Sequence, residues 1–134
     1  MVRRFAQVFG AMYLLVGIAG FIPGLSQMTD GYGAGGGLLL GLFPVNYLLD
    51  VVHLTIGAWG VASAGSLTRA TTYARVVGAV FIALGIYGIC AVANGGHLPT
   101  DALVPLNGND WWLHLTSGLL AAYFGWGVRA SSVA

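Results

Sequence analysis

Four apolar stretches, residues 5–23, 46–65, 73–93 and 110–128, divide this chain. Each meets the length of about 20 residues that a helix needs to cross a hydrocarbon core. Read as spans, they leave every arginine on one side. Arg3 and Arg4 precede the first, Arg69 and Arg75 lie at the turn between the second and third, and Arg129 follows the fourth. Every aspartate falls on the other side: Asp30 and Asp101 in the opposite loops, Asp50 and Asp110 at the starts of spans two and four. Basic loops stay in the cytoplasm, so both termini and the middle loop are expected inside.

Composition agrees with that reading. Hydrophobic residues make up 57% and charged residues 7% of the 134, where soluble domains run about 45–50% and about 25%. Lys and Glu are absent, which leaves no charged surface for nucleic acid. What remains outside the spans has no room for a soluble catalytic domain, so one membrane domain is expected over 1–134. The start, MVRRFAQVFGAMYLLVGIAG, imitates a secretory signal. No clear A-x-A cleavage site follows it, and it is read as a retained first span. Cys90, the lone cysteine, falls within span three, where a thiol ordinarily serves packing.

The chain repeats itself. LFPVNYLLDVVHLTIG at 42–57 aligns without gaps to LVPLNGNDWWLHLTSG at 103–118. Leu42, Pro44, Asn46, His53, Leu54, Thr55 and Gly57 recur as Leu103, Pro105, Asn107, His114, Leu115, Thr116 and Gly118. The preceding spans correspond as well: Gly10, Ala11, Gly17 and Gly20 match Gly78, Ala79, Gly85 and Gly88. Two tandem helical hairpins follow, repeat one at 5–65 and repeat two at 73–128, giving an all-α integral membrane four-helix bundle. Spans one and three run in the same direction, so the halves are expected to be related by an axis along the membrane normal. Such repeats occur in transporters, but four spans are few for a transport path through a monomer.

Each second helix has a readable start. Asn46, and Asn107 or Asn109, can cap the first turn, and Asp50 and Asp110 then lie near a positive helix end. Trp111, Trp112 and Tyr47 fall at outer-interface depth, Tyr73 and Trp126 at the inner one, where such aromatics anchor helices. Gly10, Gly17, Gly20, Gly78, Gly85 and Gly88 form helix-packing faces, because small residues let backbones approach. Those faces are expected to meet the other hairpin or a partner subunit. The loop 29–43 holds Gly31, Gly33 and Gly36 in GxGxxG order, but no strand–turn–helix context surrounds them, which excludes a nucleotide site. That loop reads as a flexible surface segment. Its Leu38–Phe43 run could alternatively dip into headgroups or cover a neighbouring protein.

His53 and His114 are the residues best suited to chemistry. Asn46, Asp50, His53 and Gly57 share one helical face, and Asp110, His114 and Ser117 share another. Intramembrane ionisable groups face the bundle interior and pair, so a cluster of Asp50, His53, Asp110 and His114 is expected. Four roles compete for it: hydrogen bonds that tie helices, a small-molecule or proton-coupled site, a divalent metal such as Zn or Fe, and bis-His haem. His97 reads as solvated.

The doubled block with its N-x6-H-L motif, together with the glycine-bearing spans before each copy, resembles a family of small bacterial membrane proteins. That family is catalogued as a domain of unknown function (number 4383) and is common in actinobacteria. The resemblance covers nearly the whole chain and implies four spans in a bacterial cytoplasmic (inner) membrane, without implying an activity, ligand or cofactor. The expected role is a non-catalytic accessory subunit, in contact with lipids and other integral subunits of an envelope lipid-transport or respiratory assembly. A ligand-, metal- or haem-binding protein using His53 and His114 is the alternative.

Overall fold

A computed structural model of the chain describes residues 1–29, 32–95 and 110–127. Helix α1 covers Val2–Gly20, α2 Tyr47–Ser63, α3 Leu67–Ala93 and α4 Asp110–Ala122, which runs on into a π-helical turn at Tyr123–Gly127. Three short strands, β1 Ser26–Met28, β2 Gly37–Leu39 and β3 Phe43–Val45, join α1 to α2. The chain is thus mostly helical, with a small antiparallel sheet in the order β1-β2-β3. By length and composition α1 and α3 are able to cross a membrane, and α2 is a shorter apolar helix of 17 residues.

Helix ends follow local chemistry. The α1 helix stops three residues short of Pro23, and the Phe21 N–H turns back to Ile18 O. Asn46 caps α2: its side-chain oxygen accepts from the Leu49 N–H at 2.8 Å, and its amide donates to Tyr32 O at 3.0 Å. The expected caps Asn107 and Asn109 lie outside the described residues, as do Asp30, His97, Asp101 and Arg129.

The sheet corrects the all-α expectation and the flexible loop at 29–43. Leu39 pairs with Ser26 on one side and Phe43 on the other. Leu40 (φ 54°) and Gly41 (φ 71°) make the tight turn between β2 and β3. Pro44 is tolerated because β3 is an edge strand, where a missing N–H leaves no ladder partner unsatisfied. The Leu38–Phe43 run is also less exposed than expected: Leu39 is buried, and Leu40 and Leu42 project outward.

Glycine brings α1 onto α2 and α3 onto α4. A methyl group on Gly10 would stand 2.7 Å from Gly57 O and Val61 N, and one on Gly78 would stand 2.8 Å from Ala122 N. One on Gly17 would meet Leu54 at 2.8 Å, and one on Gly85 would meet Leu115 at 2.8 Å. Those neighbours are equivalent positions of the two blocks, so the same close approach occurs twice. These glycines therefore face their own hairpin, not the other hairpin or a partner. Gly20 sits directly on the Asp50 carboxyl, and Gly88 is buried.

At the opposite end, Arg3 Nε donates to Ala64 O at 2.7 Å and Arg75 Nε donates to Gly125 O at 2.8 Å. Ala64 and Gly125 are again equivalent, and both arginines satisfy carbonyls that a helix end leaves unpaired. Between the hairpins lies a core of Phe5, Phe9, Tyr73, Val77, Phe81 and Ala121. Tyr73 is fully enclosed, edge-on to Trp59 at 5.1 Å, and so is not the interfacial anchor expected of it. Cys90 is exposed on α3 and does not serve internal packing.

Candidate functional site

A cavity of about 240 Å³ opens between α1, α2 and α4 beneath the sheet. Phe9, Tyr13 and Val16 of α1 form one wall and Leu39, Phe43 and Val45 the roof. His53 of α2 and Asp110, Leu113, His114 and Ser117 of α4 complete it. The three ionisable side chains are almost wholly enclosed, with His53 8%, Asp110 3% and His114 5% exposed.

Helix periodicity accounts for their convergence. His114 and Ser117 follow Asp110 by four and seven residues, so all three project from one face of α4. His53 reaches the same space from α2, and each imidazole rests edge-on against an aromatic of the preceding helix. Tyr13 and His53 have ring centroids 5.4 Å apart, and Phe81 and His114 also 5.4 Å. Tyr13 and Phe81 are equivalent positions of the two repeats and touch each other at 5.3 Å.

The hydrogen bonds fix what this cavity offers. His114 Nδ1 lies 2.9 Å from the Asp110 backbone oxygen. A carbonyl only accepts, so Nδ1 carries the hydrogen, and a neutral imidazole then keeps its lone pair on Nε2. His53 Nδ1 and Asp110 Oδ1 are buried and have no hydrogen-bond partner among the described residues. Tyr13 adds a hydroxyl on the same side as Ser117. The cavity is thus lined by two imidazoles, a carboxyl group and the hydroxyls of Tyr13 and Ser117, set among apolar side chains.

Three of the four expected cluster members meet here, and Asp50 does not. Aligning the repeats places Asp110 opposite Leu49, one residue before Asp50. One residue is about 100° around a helix, which turns the fully buried Asp50 away from the cavity and onto Gly20 of α1. Its carboxyl oxygens also lack partners among the described residues. Among those residues no group of three His, Cys, Asp or Glu is placed to hold a metal ion. Tyr13 escaped the sequence reading; its signal is a hydroxyl-bearing ring in mid-helix where the other repeat has Phe81.

No curated protein and no solved structure matches the chain. A family model does, over residues 3–127, and the chain therefore belongs to the family described as Domain of unknown function (DUF4383).

Proposed function

We propose that this is a four-span protein of a bacterial inner membrane, with both termini cytoplasmic, that binds a small lipid-soluble ligand without transforming it. The observation that carries the reading is the convergence of His53, Asp110 and His114 on one largely apolar cavity. Leaving a buried polar group unsatisfied costs about 1–3 kcal/mol. His53 and Asp110 each keep a buried polar atom without a partner among the described residues, as Ser26, Asp50 and Tyr73 do elsewhere; what favours a binding site is that these two side chains and His114 line one shared cavity.

Support for the membrane setting comes from the distribution of side chains. Leu15, Val52, Ile86 and Leu119 project from the outsides of the four helices, while Asp50, His53, Asp110 and His114 are enclosed. Water would favour the reverse; hydrocarbon favours this arrangement. A cavity of this size falls below the roughly 300–1,000 Å³ usual for drug-sized ligands and cofactors. A compact headgroup suits it better than a haem macrocycle.

The accessory-subunit role is a second reading, favoured by Leu40 and Leu42, which project from the tip of the β2–β3 turn. The glycine faces no longer support it, since they are used within the hairpins. One experiment addresses both. The protein is extracted gently from its native membrane and examined by native mass spectrometry, beside an Asp110→Leu, His114→Leu double variant. The expected result is a retained small molecule in the wild type that the variant lacks. Wild type carrying only bulk lipid, with stoichiometric protein subunits attached, would replace the ligand reading with the accessory one. A Soret band or stoichiometric metal in the wild type would replace it with cofactor binding.

A further inference from the structure

Resting on that ligand reading, we propose that the occupant is a single-chain amphiphile with an uncharged, hydroxyl-bearing headgroup, admitted sideways from the bilayer between α1 and α4. The cavity does not end at its polar cluster. A second, apolar cavity of about 400 Å³ continues down the same seam, walled by Phe5, Val8, Phe9, Met12, Leu120 and Phe124. Phe9 and Met12 line both, so the two adjoin as a furrow along α1, with these side chains at the junction. The lower cavity opens to the outside of the helices along this seam.

The furrow has the dimensions of a lipid chain. It runs from Arg4 to Val16 on α1, about 18 Å at 1.5 Å per residue. One leaflet of a bilayer contributes about 15 Å of hydrocarbon. A chain lying there would contact aliphatic and aromatic side chains along most of its length, with Met1 and Arg4 at the far end.

The polar end selects the headgroup. His114 Nε2 keeps a lone pair able to accept a hydrogen, and His53 and Asp110 line the same cavity. A hydroxyl both donates and accepts, and so serves an imidazole lone pair and a second neighbour at once. An anionic head would meet Asp110 with no arginine among the described residues lining that cavity. A cationic head would lose its hydration among Leu39, Phe43 and Val45, with the single Asp110 carboxyl to offset that cost.

The test uses the full chain in nanodiscs with photoreactive hexadecanol, the diazirine placed at mid-chain, and photoreactive butanol as the short probe. Saturable labelling by the long probe is expected at Val8, Met12 and Leu120, with unlabelled hexadecanol competing. Val8→Trp, which fills the lower part of the furrow away from the polar cavity, should weaken long-probe labelling about tenfold and spare the short probe. Leu120→Trp repeats the measurement should Val8→Trp fail to fold, and Val80→Trp, exposed on α3, should change nothing. If both probes saturate the polar cavity equally and Val8→Trp affects neither, the furrow proposal fails while the ligand reading survives. If neither labels the cavity saturably, both fail. Stronger competition by hexadecanoic acid or hexadecylamine than by hexadecanol would overturn the headgroup assignment.

Discussion

His53 and Asp110 expose the difference between a residue that holds a fold and one that the fold must tolerate. Each is enclosed, with one polar atom lacking a partner among the described residues. Replacing either with Leu removes that unsatisfied atom while keeping bulk. His53→Leu and Asp110→Leu should therefore raise ligand-free thermal stability, by about 1–3 kcal/mol at the upper end. Thermal unfolding in detergent checks this. A loss of stability in both would mean the groups tie helices, as one sequence expectation held. The glycines behave oppositely. Gly10→Leu and Gly78→Leu push a side chain into backbone less than 3 Å away and should cost about 1–3 kcal/mol or more. Gly65→Ala meets only the Arg69 guanidinium at 3.4 Å and should fall within about 0.5 kcal/mol of wild type. The same unfolding assay separates the three.

At the scale of elements, the helices were legible and the sheet was not. Long apolar runs with glycine at recurring intervals announce packed helices, and α1 and α2 fall within three residues of the expected spans, while α3 begins six residues before its expected start and α4 gives way to the π-helical turn after Ala122. The strands are three residues each, Ser-Gln-Met, Gly-Leu-Leu and Phe-Pro-Val, and only Phe43 and Val45 are of the types that mark strands. Runs that short, with Pro44 between those two, are hard to separate from loop. The candidate site was partly legible for a similar reason. His53 and His114 share a motif position and arrive at one cavity, whereas Asp50 and Asp110 look alike in the sequence but differ by one residue of register. Asn46 joins sheet to helix by capping α2 and binding Tyr32 O. Asn46→Ala should cost about 0.5–2 kcal/mol. Hydrogen exchange should quicken at Leu49 and across β2–β3, above the cavity. Unchanged exchange there would show that the roof is held independently of the cap.

For the whole molecule, charge segregation predicts orientation. In a Cys90→Ala background, which removes the exposed native thiol, Met28→Cys should react with a membrane-impermeant maleimide applied to intact cells. Leu67→Cys should react only after permeabilisation; labelling of Leu67→Cys in intact cells would invert or abolish the proposed topology. A last consequence follows from the way each arginine closes its own pair of helices, Arg3 onto Ala64 and Arg75 onto Gly125. Each half carries its own clasp and its own glycine seam, and the exposed Gly65 lies where one half gives way to the next. The chain can accordingly be regarded as two polypeptides that share a peptide bond by convenience. Expressed as separate fragments, 1–65 and 66–134, the halves should find each other in the bilayer and co-purify through an affinity tag on one alone. Because His53 belongs to one fragment and His114 to the other, recovered ligand binding would report that severed halves had rebuilt a shared interior.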